Sequence, residues 1–310
     1  MSQKLLLIIM TASLYLAVSE LSTSVVLAQN NTQPSKPGSS PEIIEQQLPE
    51  LVGQWSIKDF SPFNVSVVFT PEKKLYVLPL FSPWFGGTFG GSFDKPSAYE
   101  IPYKINSSTK PMQIDLIFGS EAENIKTIFE TTPEGKIRLE LIGLRPGEPR
   151  PTEFTTGSIL IEKVSNLTKL PRNTQVINVV QERKKSAQSE GKTYLGSMLR
   201  GQQAYFLEND KFSSNLNDLQ LGIKSETESY SFRVIPQGNQ KQQVMMTVTA
   251  KKPELNSYTG VVYVVKNKQE LLTMTAICET EKPSMNAPAK PKIPNKLSGK
   301  VQCPAGSRSS

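Results

Sequence analysis

The 310-residue chain contains no histidine and only two cysteines, Cys278 and Cys303. Ser-His-Asp and Cys-His nucleophile systems, histidine zinc sites and imidazole bases are therefore excluded by composition. A four-cysteine metal site or iron–sulfur cluster cannot be built within one chain, which leaves one disulfide or two free thiols. Carboxylates remain. Glu100, Asp115, Glu140 and Glu153 stand on or beside strand-like segments, and two carboxyl groups at the right separation can cleave a glycosidic bond. Their spacing brings no two of them to that separation, and carboxylates on the wet faces of strands are the ordinary explanation. The glycine-rich loop Phe81 to Phe93 holds Trp84, Phe85 and Phe89. No Gly-Lys-Ser/Thr follows it, so it does not cradle phosphate. Its aromatics are either a contact surface for something bound or a cover for the open end of a sheet, and the cover is preferred because aromatics usually bury. No residue is nominated as catalytic or metal-binding, and no cofactor is expected.

The elements that would hold these residues fall behind a targeting segment. Residues 1–28 read as a signal peptide, with Lys4, an apolar run from Leu5 to Val18 and a small-residue end before Gln29. Cleavage is expected between Ala28 and Gln29, with an uncleaved anchor as the alternative. Glu20 and neighbouring serines interrupt the apolar run short of the roughly 20 residues a spanning helix needs. No stable membrane span is expected in the mature chain. Residues 29–47, rich in Asn, Gln, Pro, Ser and Gly, form a flexible linker. An exported chain works in an oxidising compartment, where Cys278 and Cys303 can pair.

The remainder divides by charge: residues 1–166 carry a net −3 and residues 167–310 a net +10, which together give the chain's +7. Two units with different surfaces are expected, 48–165 and 182–310, joined by a linker over 166–181. In the first there are short β-type runs such as Val65 to Phe69, Gln113 to Phe118, Lys136 to Leu141 and Ser158 to Lys163, the last three alternating apolar with polar, and Thr132-Pro133-Glu134-Gly135 has hairpin chemistry. An antiparallel sheet closing on itself buries their apolar faces. Leu51-Val52-Gly53-Gln54-Trp55 resembles the Gly-x-Trp opening of lipocalin-type barrels, and Arg150-Pro151-Thr152-Glu153-Phe154 is similar to the closing motif of small bacterial lipocalin-like domains. The resemblance implies a barrel plugged by Trp55. The span is shorter than a full lipocalin, so an incomplete barrel is expected.

In the second unit, Tyr194, Leu195, Met198, Leu199, Gln202, Tyr205 and Phe206 recur at spacings of three and four between Gln181 and Glu208, placing one amphipathic helix there. Strands are expected at Tyr230 to Ile235, Gln243 to Ala250, Tyr258 to Lys266 and Leu271 to Cys278. One helix on a four-stranded antiparallel meander gives an α+β fold. Pro283 to Lys300, with Pro and Lys in rotation, reads as an extended polar segment.

This half resembles the type IV pilin-like proteins of the G/H type found in cyanobacteria. The likeness runs from Gly196-Ser197-Met198-Leu199-Arg200-Gly201-Gln202-Gln203-Ala204-Tyr205-Phe206 through Leu221-Gly222-Ile223 and Ile277-Cys278-Glu279-Thr280 to Gln302-Cys303-Pro304-Ala305-Gly306. It implies a Cys278–Cys303 disulfide stapling the C-terminal loop to the sheet. Pilins also carry an apolar helical stem opened by Gly, then Phe or Met, with a Glu four residues on. Here the polar run Gln181-Glu182-Arg183-Lys184-Lys185-Ser186 precedes the helix core instead. The resulting expectation is an exported, non-catalytic structural or interaction protein of the periplasm or cell surface, with envelope or pilus proteins as partners. The alternative is a carrier of a small apolar ligand, held by the first unit near Trp55, Trp84, Phe85 and Phe89. No nucleic acid is expected, because the basic residues of the second unit are dispersed.

Overall fold

The computed structural model describes residues 51–57, 65–78, 96–141, 144–267, 270–294 and 299–310. The expected signal peptide with Ala28 and Gln29, and the aromatic loop with Trp84, Phe85 and Phe89, lie outside them. The chain forms two compact units that divide between Val179 and Val180.

Eight strands form the barrel of the first unit: β1 (Gly53–Ile57), β2 (Val65–Phe69), β3 (Lys74–Leu78), β4 (Ser97–Asn106), β5 (Met112–Leu116), β6 (Ile125–Thr131), β7 (Ile137–Leu139) and β8 (Ile159–Ser165). Each pairs antiparallel with the next, and β8 returns to β1 with Ile161 opposite Ile57 and Lys163 opposite Trp55. The barrel is therefore closed, which corrects the expectation of an incomplete one. Closure fits into so short a span because most of the strands are short and three of the connections, β2–β3, β4–β5 and β6–β7, are tight hairpins. At Thr70 to Lys74 the turn is closed by Thr70 N–H to Lys74 O, and at Thr132 to Lys136 by Gly135 N–H to Thr132 O. Alternation does the rest. Trp55 and Ile57, Val65, Val67 and Phe69, Leu75 and Val77, and Ile159 and Ile161 point into one apolar core.

The segment 166–181 expected as a linker carries a further strand, β9 (Gln175–Asn178), which pairs parallel to β4 with Ser97 opposite Gln175. It occupies the edge that β5, paired only with Tyr103 to Asn106, leaves open on the first half of β4.

The second unit holds α1 (Val179–Asn209) and a sheet in the order β10 (Tyr230–Pro236), β11 (Gln243–Ala250), β12 (Tyr258–Asn267), β13 (Glu270–Thr280), β14 (Ser307–Ser309), all antiparallel. The helix and four long strands lie where the sequence places them. The sheet has five strands rather than four, because Ser307–Ser309 adds to the end of β13. The helix stops at Asn209, after which Asp210 adopts a left-handed φ of 53° and its N–H still reaches Phe206 O.

Leu195, Met198, Leu199, Gln202 and Phe206 are buried along one stripe of α1, against Tyr230, Phe232, Val244, Met246, Val248, Tyr258 and Val262. Two glycines set the closeness of that seam. A Cβ on Gly260 of β12 would stand 2.7 Å from Leu195 Cδ1, and one on Gly191 of α1 would stand 3.0 Å from the Tyr230 ring. The opposite face of β12 is also buried. Val261, Tyr263 and Val265 pack with Met274, Ala276, Ile293 and Val301, and Thr259 Oγ1 donates to Pro288 O at 2.6 Å. The segment expected to be extended and polar is thus a strap across the back of the sheet, with Pro288 and Pro291 buried. Its prolines supply apolar surface as well as stiffness.

The glycines of α1 predict opposite responses to one substitution. Around Gly196 the nearest atom to an added Cβ is the mobile Arg200 Nη1 at 3.5 Å, so Gly196→Ala should stabilise by about 0.5–1 kcal/mol through helix propensity. Gly191→Ala meets a Tyr230 ring fixed by burial and a hydrogen bond to Asn256, so overpacking outweighs the same propensity gain and a net loss of about 1 kcal/mol is expected. Urea unfolding of the two variants gives the signs directly.

Candidate functional site

Trp55 is almost fully buried in β1. Its indole Nε1–H donates to Leu51 O at 2.8 Å, and Lys163 Nζ stands 5.3 Å from the ring centroid. Gly53 makes this arrangement possible. Its φ of 135° is one that only glycine adopts readily, and a Cβ there would lie 2.5 Å from Ser165 O. The Gly-x-Trp spacing therefore combines a backbone approach between β1 and β8 with the bulk that fills the interior beside it. The second motif also has a local cause. Arg150 donates to Thr127 O at 2.6 Å and to Ile114 O at 3.3 Å, and it pairs with Asp115. Arg138 lies 4.6 Å over the Phe154 ring. Arg150 to Phe154 thus joins β5, β6 and β7.

Three of the four carboxylates weighed for catalysis serve such anchoring. Glu100, only 8% exposed, accepts hydrogen bonds from Lys74 Nζ at 3.0 Å, Tyr76 OH at 2.9 Å and Asn178 Nδ2 at 2.8 Å. Burial alone would raise its pKa, but these donors outweigh burial and hold it below the ordinary value of 4.5. The last of them fixes β9 to the barrel. Asp115 is committed to Arg150, and buried Glu140 accepts the Thr155 N–H at 2.6 Å. Glu153 is exposed. Among the described residues no group of three or more Cys, Asp or Glu is arranged to hold a metal ion.

In the second unit the expected residues come together. Cys278 and Cys303 form a disulfide with their Cα atoms 5.6 Å apart. Pro304 to Gly306 then turns the chain, with Ser307 N–H bonding to Pro304 O, so that Ser307–Ser309 can join the sheet. The bridge ties the strap to the same end of β13 that β14 extends.

A buried polar network beside it was not visible as a motif. Glu279, next to Cys278, accepts from Lys192 Nζ at 3.0 Å and from Asn256 Nδ2 at 3.1 Å, while Arg308 of β14 stands 4.0 Å away. Asn256 Nδ2 also donates to Thr280 O, and its Oδ1 accepts from Gln188 Nε2. Tyr230 OH donates to Asn256 O at 3.1 Å. Burial, with Glu279 adding to it, pushes the Tyr258 hydroxyl up to about 12, and burial pushes the Tyr230 hydroxyl up further. The network connects α1, β10, the Asn256 segment ahead of β12, β13 and β14 around one nearly buried carboxylate. Its members are scattered over residues 188 to 308, which is why spacing does not disclose it.

No helix among the described residues is long and apolar enough to cross a membrane. The 31-residue α1 has the length, but its first dozen residues are mostly polar or charged.

Two consequences are measurable. Cys303→Ser should lose about 2–4 kcal/mol of stability, and limited proteolysis should then cut within residues 281–303 well before the sheet. Glu100 is held below 4.5 in the folded chain, so its contribution is present above that value and lost as pH falls through it and below. The stability difference between the native chain and Glu100→Gln should therefore be largest near neutrality and shrink on acidification below 4.5, as read from urea midpoints across pH.

Residues 188–304 match the family described as "Type IV pilin-like G and H, putative". The match begins within α1, spans β10 to β13 and ends just past the second cysteine of the staple. No curated protein and no solved structure matches the chain. The second unit is thus pilin-like by sequence, and its helix, antiparallel sheet and disulfide are the geometry on which that likeness falls.

Proposed function

We propose that the chain is an exported, non-catalytic structural or interaction protein of the cell envelope or surface, and, by its resemblance, of a cyanobacterial cell. Residues 1–28 act as its signal peptide and are removed after Ala28. The pilin-like unit is the part that meets other proteins, with pilus or envelope components as partners, and the barrel is its carrier. The observation that carries this reading is the family match over 188–304, which follows the helix, the sheet and the stapled strap from Gln188 to Pro304. The carboxylates support it, since Glu100 joins β3, β4 and β9, while Asp115 and Glu140 hold the segment between β7 and β8.

The alternative is a small apolar ligand within the lipocalin-like barrel, whose inner side chains around Trp55 form one continuous apolar cluster. Organic extraction of purified protein followed by mass spectrometry separates the two readings, and a stoichiometric apolar compound would favour the carrier.

The leading proposal is tested by cell fractionation with N-terminal sequencing of the natural protein, followed by crosslinking in intact cells. The expected result is a mature chain starting at Gln29 in the periplasmic or surface fraction, crosslinked to envelope or pilus proteins. A cytosolic chain that keeps residues 1–28 and has both thiols reduced would overturn it.

A further inference from the structure

The sheet of the second unit has two edges, and they are treated differently. On β10, the segment before it folds back: Thr227 N–H bonds to Tyr230 O at 2.7 Å and Phe232 N–H to Ser225 O at 2.7 Å. The backbone groups that point away from β11 are therefore those of Tyr230, Phe232, Val234 and Pro236, since outward groups alternate along a strand. Residues 225–227 take the first two positions, and Pro236 has no N–H. Among the described residues only Val234 stands open between two blocks.

The other edge is open for longer. Ser310 N–H bonds to Ile277 O at 3.1 Å, which fixes the odd-numbered residues of β13 as the outward-pointing ones. β14 covers Cys278 to Thr280 and Ser310 reaches Ile277. This leaves the outward groups of Leu271, Thr273 and Thr275, of which only Thr273 O has a partner among the described residues, accepting from Gln203 Nε2 at 3.1 Å. A carbonyl keeps a second lone pair, so that bond does not close the position. The side chains on this edge are also unusual. Leu271 is 60% exposed. Leu207, 78% exposed, lies one turn beyond Gln203 on the helix. A helical rise of about 1.5 Å and a strand rise of about 3.3 Å per residue bring it to the level of Leu271. Proteins normally guard an exposed strand edge with proline, charge or a covering segment. β10 has two of these guards, and Leu271 to Thr275 has neither.

We propose that this edge is a self-association surface, on which a second copy of the chain adds its own β13 antiparallel about a two-fold axis through Thr273. The β10 edge is blocked on both sides of Val234 and β14 is only three residues long, so β13 offers the longest open stretch of this sheet to another copy. The pairing is self-complementary. Leu271 meets Thr275 of the other copy and Thr273 meets its equivalent, so outward groups face outward groups along the ladder from Leu271 to Thr275. On the other face, half-buried Leu272 and Met274 pair reciprocally, and Glu270 falls opposite Ala276 rather than another charge. That ladder ends before the position held by Ser310. This surface goes beyond the envelope reading and does not depend on it.

Sedimentation of the purified full chain over a wide concentration range, with two edge variants and two single cysteine variants, tests the proposal. The native chain should show a concentration-dependent monomer–dimer equilibrium. Leu271→Lys and Thr273→Pro should abolish the dimer while circular dichroism stays native. Thr273→Cys should give a disulfide-linked dimer under mild oxidation, and Arg233→Cys, on the guarded edge, should not. If the proline variant fails to fold, the lysine variant decides. A native chain that stays monomeric, together with a Thr273→Cys variant that forms no crosslink, overturns the proposal. So does a dimer that persists in Leu271→Lys, or one that crosslinks in the Arg233→Cys variant instead.

Discussion

Strand β12 must be covered on both faces, and the architecture of the second unit follows from how each cover is supplied. Tyr258, Val262 and Val264 face the helix, while Thr259, Val261, Tyr263 and Val265 face the strap. The helix cover is assembled from residues close in sequence, on a stripe whose period the chain itself dictates. The strap cover comes from prolines and isolated aliphatics such as Ile293 and Val301, too sparse to hold themselves on the sheet by burial alone. The Cys278–Cys303 bridge compensates by limiting how far the strap can travel in the unfolded chain. Glu279 and Lys192 then tie the helix cover to β13 near the staple, because that carboxylate is nearly buried and would be costly without its partners.

The two units solve the problem of strand edges by different means. The barrel abolishes edges by joining β8 to β1, and the short gap on β4 is taken by β9. Its carboxylates can then act as anchors, Glu100 between neighbouring strands and Asp115 and Glu140 toward the β7–β8 connection. The second sheet stays open because one of its faces must remain flat enough to receive a helix, as the absence of a side chain at Gly260 requires. An open sheet keeps two edges, and the chain places Pro236 and a fold-back segment on one of them. The asymmetry is a property of the fold rather than of any single residue.

Periodicity made the second unit nearly legible. The spacing of Leu195, Met198, Leu199, Gln202 and Phe206 gives the helix and its buried face, and Gln243–Ala250 is a strand from end to end as its alternation implies. Strands without clean alternation were harder to see. In β6, Ile128 and Phe129 are adjacent and both buried. β4 contains Pro102, which normally argues against a strand, yet here its carbonyl accepts Ile117 N–H. β9 and β14 are too short and polar to carry a pattern, and tertiary pairing alone defines them. Of the candidate site, the cysteines and the Gly53-x-Trp55 pair were visible because glycine, tryptophan and cysteine each have a narrow range of uses. The Glu279 network was not, because hydrogen-bonded polar groups need only meet in space.

The composition of α1 bears on how a pilin-like unit of this kind could join an assembly. From Val179 to Glu190 the helix has no fully buried residue and includes Gln181, Glu182, Arg183, Lys184 and Lys185. A segment carrying that many charges is expensive to place in hydrocarbon or in a dry helical bundle, since each charge would need a partner or a neutralising proton. The buried stripe further along is already occupied by the sheet. Neither half of α1 therefore offers an apolar stem for packing in a filament core. Besides its charged side chains, the described surface of this unit exposes backbone at a strand edge and isolated large side chains such as Leu207 and Leu271. Contacts of that kind favour lateral attachment and small closed assemblies over polymerisation through the helix.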